Sequence, residues 1–443
     1  MRNGARKVVR EDLVLHKYAL TEEGGVKELQ GGRQRIEAVL CAIEVANLES
    51  LRNNGAGIKA DGERIRCQMP NSPGRTFLRR QGKSADAEEY RQQDEQFFHH
   101  QKYSTNKLAK ITLFSQISYF CRKFFEMENM ENYTMKDTRS GFGAGLLEAA
   151  QHNDNIFALT ADVTGSVKMG DFKAAYPDRF IQCGIAEANM IGISAGLALS
   201  GKVPFASAFA GFVSGRVYDQ IRMTVAYSNL NVKIGASHSG ITVGEDGATH
   251  QMMEDLGLMK MLPNMVVINP CDYNQTKMAT IAAAEYNGPV YLRFGRPAVP
   301  NFTQENKPFV IGKAEVMEEG NDVSIFATGH LVFPALQAAA ALREEGISAE
   351  VVNIATIKPL DEEAIMNSVR KTRCAVTAEE HFLNGGLGDS VCQCLCRNLP
   401  TPVEMVGVND HFGESGTPDE LMAHFGLDKE HIMEACKKAI SRK

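Results

Sequence analysis

A chain of 443 residues with a net charge of −6 and 44% hydrophobic residues is long enough for two or three domains with sizeable cores. The acidic balance, with a pI near 6.0, gives nucleic acid no electrostatic footing, and no apolar run reaches the roughly 18–20 residues of a membrane span. Met1-Arg2-Asn3-Gly4-Ala5-Arg6-Lys7 is basic but leads into Glu11 and Asp12 rather than an apolar stretch, so it does not read as a secretory signal. The ten cysteines form no CxxC pair and no regular framework, which fits a reducing cytoplasm. Cys392, Cys394 and Cys396 fall at spacing two inside 389–398, a segment that otherwise reads as helical. That spacing scatters them around a helix, which suits buried thiols better than one metal.

Residues 1–134 read as a low-order N-terminal extension that need not be native to the protein. They are rich in Arg, Gln, Asn and Glu, with a short helical pattern over 35–48 and no alternation of strands with helices. From Met135 the texture changes. A helix over 141–151 leads to a strand over 156–160, which ends in Ala161-Asp162-Val163-Thr164-Gly165-Ser166. A strand over 180–183 runs into an apolar helix over 190–199. A strand over 203–206 is followed by a helix over 215–229. A strand over 232–236 opens into a glycine-rich loop over 237–249. A strand over 265–269, a helix over 273–285 and a strand over 290–294 complete the first unit, 135–300. Residues 301–320 read as a linker. A second unit, 321–443, repeats the rhythm with strands over 323–327, 349–354 and 375–378 and helices over 334–344 and 361–369. Strands alternating with helices predict two consecutive α/β domains with mainly parallel sheets. In such sheets ligands sit at the carboxyl ends of the strands, where Ser166, Glu187, Phe212, His238 and Arg296 fall. The turn Gly385-Gly386-Leu387-Gly388 precedes a helix and reads as a packing turn or a cradle for an anion.

Two stretches carry chemistry. Glu187 stands at the mouth of a helix built from Ile, Leu, Gly, Ala and Ser, with almost no polar face, so the helix should be buried on most sides and pack closely against another, across a subunit boundary. A carboxylate there is costly if buried and unpaired, so it needs a partner. It either caps the helix start or grips a ligand. The loop from His238 to Gln251 holds two imidazoles, two carboxylates and three glycines at Gly240, Gly244 and Gly247. Glycine permits close backbone approach, and His and Asp can exchange protons and hydrogen bonds with hydroxyls and carbonyls. The gap between His238 and His250, with no cysteine nearby, disfavours zinc.

Gly244-Glu245-Asp246-Gly247-Ala248-Thr249-His250-Gln251, with Gly184-Ile185-Ala186-Glu187-Ala188-Asn189-Met190, resembles the pyrimidine-binding domain of transketolases and 1-deoxyxylulose-5-phosphate synthases. The C-terminal unit resembles the transketolase C-terminal domain. The resemblance implies thiamine diphosphate bound between domains of different subunits. It also implies that Glu187 is a catalytic and cofactor-binding residue, its carboxyl hydrogen-bonded to N1′ of the aminopyrimidine, with Phe212 and Phe209 packed on the ring. It further implies that Arg139, Ser166, His238 and Arg296 bind a sugar phosphate, that Asp246 holds a sugar hydroxyl, and that His250 and His238 act at the reacting carbonyl. Arg293 is a near alternative to Arg296, which leaves open which of them binds phosphate and which is a structural ion-pair residue.

The same resemblance implies an N-terminal domain whose Gly-Asp-Gly motif holds Mg2+ and the diphosphate. Upstream there is only Ala60-Asp61-Gly62. The chain is therefore expected to be the C-terminal subunit of a split transketolase, transferring a two-carbon ketol unit between sugar phosphates. It should need a separate transketolase N-terminal subunit, in a heterotetramer. The beta subunit of a thiamine-dependent 2-oxoacid dehydrogenase, a 1-deoxyxylulose-5-phosphate synthase-like enzyme and a non-catalytic scaffold subunit are the other readings.

Overall fold

The computed structural model describes residues 133–443 and, ahead of them, four three-residue strands. Those strands pair as two antiparallel hairpins, Tyr18–Leu20 with Val26–Glu28 and Arg64–Arg66 with Thr76–Leu78, where the sequence reading expected no strands. Up to residue 132 the rest of the expected low-order extension, with its helical pattern over 35–48 and Ala60-Asp61-Gly62, lies outside the described residues.

The first domain is built on a seven-stranded sheet. Its elements are β1 (Met135–Asp137), α1 (Thr138–His152), β2 (Ile156–Thr160), α2 (Gly170–Ala175), β3 (Phe180–Gln182), α3 (Glu187–Leu199), β4 (Val203–Phe209), α4 (Ala210–Val213), α5 (Tyr218–Gln220), β5 (Lys233–Ser237), α6 (Asp255–Met261), β6 (Val266–Ile268), α7 (Tyr273–Glu285) and β7 (Val290–Arg293). The helix expected over 215–229 is broken: α5 gives way to a π-helical stretch, Ile221–Ala226. After β7 come β8 (Ala298–Pro300), β9 (Glu315–Glu318), β10 (Val323–Ala327), α8 (Val332–Glu344), β11 (Ala349–Asn353), β12 (Thr356–Lys358), α9 (Glu362–Thr372), β13 (Ala375–Phe382), α10 (Leu387–Asn398), β14 (Val403–Val408), α11 (Pro418–His424) and α12 (Lys429–Ser441). The sheets run β12-β6-β7-β5-β4-β2-β3 and β9-β11-β10-β13-β14, and β8 pairs with β1. Only β12 is antiparallel in the first sheet and only β9 in the second. The segment expected as a linker thus contributes β9 to the second sheet, and the second domain lends β12 to the first.

Register aligns the carboxyl ends of the first sheet. Thr160 lies opposite Gln182 and Ser207, Phe209 opposite Ser237, and Arg293 opposite Ala236. One face of this sheet is covered by α1 and α7, where Phe142, Leu146, Phe205 and Ala279 are fully buried and Phe142 stacks on Phe294 at 4.7 Å. The other face carries Met190 and Ile191 of α3, Val225, and Leu256 of α6, and its core continues to Phe326, Ile365 and Leu387 of the second domain. In that domain the period-two strand pattern separates two layers. Val323, Ile325 and Ala327 meet α8 and α12, whereas Phe326 meets α9 and α10.

Helix α1 reaches α7 through glycines four residues apart. A Cβ on Gly141 would lie 2.5 Å from the Tyr273 carbonyl oxygen, and one on Gly145 2.5 Å from that of Lys277. A backbone carbonyl on a packed helix cannot step aside. Gly145→Ala gains about 1 kcal/mol in helix propensity but forces the helices apart, an overpacking cost of about 1–3 kcal/mol. The expected net result is a lower urea midpoint; an unchanged or raised midpoint would mean that the contact yields freely.

Within a single chain helix α3 buries one face only, Glu187, Met190, Ile191, Ser194 and Ala195, which leaves its expected packing across a subunit boundary untested. Within a single chain Gly192 and Gly196 have nothing within 4 Å of a Cβ position, and Leu199 is exposed. The turn 385–388 is a packing turn whose backbone is already occupied: Leu387 and Gly388 donate their N–H groups to the Glu379 carboxylate at 2.6 and 2.7 Å. Burial pushes that carboxyl up to about 7, with the two donors pulling it the other way. The cysteines of α10 point apart, Cys394 buried and Cys396 exposed. No helix among the described residues is long and apolar enough to cross a membrane.

Candidate active site

Glu187 is the first residue of α3 and is 5% exposed. Its carboxylate does not cap the helix. The cap position is Ala186, which makes no side-chain cap bond, and both carboxylate oxygens lie 3.3 Å from Nη1 of Arg216. The buried carboxylate thus has the partner its burial demands. Arg216 is half-exposed and its guanidinium lies over the Phe212 ring, 4.1 Å from the centroid, a cation–π arrangement. The sequence reading missed Arg216. The requirement for a cation near Glu187 was its only signal, and a residue 29 positions later is not something periodicity can find.

From Phe212 the cluster runs on through rings. Phe209 and Phe212 stack with centroids 5.9 Å apart, and Phe209 stacks on His238 at 3.9 Å. His250 meets both phenylalanines edge-on, at 6.4 and 5.7 Å. The ends of β4 and β5 lie side by side, which brings Phe209 to His238. His238 is 4% exposed and has a left-handed backbone, φ 56°, a conformation that persists only where surrounding structure holds it. Its Nδ1 lies 2.8 Å from Ser237 Oγ, and Nδ1 of His250 lies 3.0 Å from Thr249 Oγ1.

The cations expected at the site are present with their own partners. Arg139 Nε is 3.4 Å from Asp137, and its Nη1 donates to the Ser166 carbonyl at 3.2 Å. Arg296 Nη1 donates to the Val243 carbonyl at 2.6 Å and lies 3.5 and 3.6 Å from Glu245 and Asp246. Arg293, the alternative to Arg296, is 2% exposed and paired with buried Asp255 at 2.9 Å. Its position is that of a structural ion pair. Ser166 meets Arg139 through its backbone, not its hydroxyl. Among the described residues no group of three or more His, Cys, Asp or Glu is placed to hold a metal ion.

Burial, reinforced by Arg139, Arg296 and His250, pulls the His238 imidazole from 6.5 down to about 3. It is therefore neutral at physiological pH, able both to donate and to accept. The sign of the linkage follows. The unfolded chain takes up the proton first, so this residue's contribution to stability is complete above 6.5 and is lost as pH falls towards 3. The ring resonances of His238 should be flat between about pH 5 and pH 8; a midpoint inside that window, read by NMR, would contradict the arrangement.

The comparisons fit this geometry. Residues 134–301 match the transketolase pyrimidine-binding domain and residues 312–432 the transketolase C-terminal domain. The chain is 47% identical over 310 residues to a putative transketolase C-terminal section of Methanocaldococcus jannaschii, a match covering 68% of this chain and 97% of that protein. It is 44% identical over 319 residues to the 6-deoxy-6-sulfo-D-fructose transketolase subunit SqwH of a Clostridium species, covering 72% of this chain and 98% of that protein. A solved split-gene transketolase, described as an inactive beta4 tetramer, superposes with a TM-score of 0.65 at 46% identity, covering 69% of this chain and 98% of that one. The chain belongs to the transketolase family and corresponds to the C-terminal section of its split members.

Proposed function

We propose that this chain is the glutamate-bearing subunit of a two-chain transketolase, transferring a two-carbon ketol unit from a ketose phosphate to an aldose phosphate. The observation that carries the reading is a buried carboxylate, Glu187, joined through Arg216 to the stacked rings of Phe212 and Phe209 at the carboxyl edge of a parallel sheet. Family membership implies thiamine diphosphate. The residues present fit its aminopyrimidine, which needs a carboxylate at one edge and an aromatic face. Glu187 would hold the ring nitrogen, with Phe212 and Phe209 against the ring, once Arg216 has left the carboxylate. When bound, thiamine diphosphate supplies the nucleophilic carbon and the electron sink for the two-carbon fragment.

The chain's own residues do the rest. Glu187 holds a proton at the pyrimidine nitrogen in a site poor in water. Neutral His238, with His250, exchanges hydrogen bonds and protons with the sugar oxygens near the reacting carbonyl. Asp246 accepts from a hydroxyl. Arg139 and Arg296, both close enough to depress the His238 imidazole, form charge-assisted bonds to the terminal phosphate, and Ser166 closes that end of the site. The relative named for a sulfo-sugar makes the terminal anion the variable part of this reading. Mg2+ travels with the diphosphate and is held mainly by the Gly-Asp-Gly motif of a separate transketolase N-terminal subunit.

Self-association within a heterotetramer is supported by the open face of α3 and the turn before it, where Leu199 and Ile185 are 75% and 80% exposed. A cytoplasmic setting suits the seven free thiols among the described residues. Calorimetric titration with thiamine diphosphate and Mg2+ tests the assembly. Saturable binding is expected when the chain is mixed with a Gly-Asp-Gly-bearing subunit and not from the chain alone. Equal binding by the chain alone would overturn the two-chain reading.

A further inference from the structure

The loop from His238 to Gln251 is fastened to the second domain at its root and near its far end. At the root, Thr242 donates both its N–H and its hydroxyl to Oε1 of Glu380, each at 2.7 Å. Glu380 lies on β13 and is 2% exposed. Its Oε2 is 3.3 Å from Nδ1 of buried His330, and its backbone carbonyl accepts from Arg293 at 2.8 Å. Gly240 makes the approach possible: its φ is 77°, and a Cβ there would lie 2.1 Å from Oε1 of Glu380. At the far end, Gln251 donates to the Ile241 carbonyl at 3.1 Å and to the Glu414 carbonyl of the second domain at 2.8 Å. A Cβ on Gly413 would fall 1.7 Å from Oε1 of Gln251, and one on Gly247 2.4 Å from Oγ of Ser415. Between these anchors stand the half-exposed Asp246 and His250, and immediately before them the left-handed His238.

We propose that Glu380 is a positioning residue for sugar binding: from the second domain it sets the backbone of the loop that presents His238, Asp246 and His250. The assignment rests on the reading of that loop as the sugar site. Oε1 has to accept, since the Thr242 N–H and hydroxyl converge on it, and Oε2 faces the His330 imidazole. The carboxylate is held ionised despite its burial, because His330, Arg293 and the Thr242 N–H together outweigh desolvation. Displacing such a loop by a fraction of an ångström misaligns several substrate contacts at once.

The test uses the full chain assembled with its N-terminal subunit. Glu380→Ala should lower kcat/KM for the ketose donor on the order of tenfold to a hundredfold, mainly through KM. Thiamine diphosphate affinity should change less than KM does, since Glu187 is held by Arg216 and not by this loop. Amide exchange over 240–251 should accelerate while that of β10 and β11 does not. Glu380→Gln, which keeps an acceptor for Thr242, should recover most of the loss. Thr242→Val, which removes one of the two bonds from the other domain, should reproduce a smaller loss in KM and serves where the alanine variant does not fold. Unchanged exchange over the loop, a uniform rise across the second domain, or a loosened loop with unaltered KM would each overturn the role. The exchange readout needs no sugar, so a wild-type assembly without turnover would strike the substrate reading and leave the brace to be judged by its own result.

Discussion

Glu187→Gln is expected to lower ketol transfer by the assembled enzyme on the order of a thousandfold, in line with the loss of a positioned acid–base group. The amide keeps the size of the side chain and can still form a hydrogen bond, so the site should assemble and the two-chain complex should elute unchanged in size. What it lacks is the ability to hold and release a proton. The same variant separates the enzymatic reading from the scaffold reading. A scaffold subunit would show no change in the behaviour of its assembly, whereas loss of turnover with assembly intact has no explanation in a purely structural role. Retention of more than about a tenth of wild-type turnover would remove Glu187 from the chemistry.

The second large effect is on stability. Asp255 is fully buried and bonded to Arg293 at 2.9 Å, and it accepts from the Tyr291 hydroxyl at 2.8 Å. Arg293 in turn reaches the Glu380 carbonyl across the domain boundary. Asp255→Ala leaves a buried guanidinium without its bonded counter-charge, a loss of about 3–5 kcal/mol. The penalty comes from the unpaired charge more than from the missing bond, so the double variant Asp255→Leu, Arg293→Met is expected to recover most of it. Equilibrium denaturation with urea reads both. A single variant within about 1 kcal/mol of wild type would mean that water reaches Arg293.

How far the sequence carried can be judged from particular elements. Strand β2, helix α7 and strand β10 lie where the pattern placed them, because apolar runs bounded by turns are local signals. Strand β12 has three residues and pairs in the sheet of the other domain, so nothing in its own window reveals it. Helix α6, opened by a buried aspartate, reads as loop until its arginine partner is known. The expected strand over 375–378 stops short of Glu379-Glu380-His381, which looks like a solvated end. All three are buried, since their partners lie in the turn 385–388 and in a loop and helix α6 of the other domain. At the site, Glu187, His238 and His250 were marked by residue type and motif and Phe209 and Phe212 by the family resemblance, and the structure brings them into one cluster, Glu187 through Arg216. Arg216 and Glu380 were not, because each acts through a long-range contact that leaves no local pattern.

The measurement that bears most directly on the whole account is ketol transfer from xylulose 5-phosphate to ribose 5-phosphate, with thiamine diphosphate and Mg2+. It would be run for this chain alone and for its mixture with a Gly-Asp-Gly-bearing N-terminal subunit. Turnover in the mixture and none from the chain alone is the predicted result. Turnover by the chain alone, or none in a mixture with a verified partner over a panel that includes sulfo-sugar donors, would contradict it.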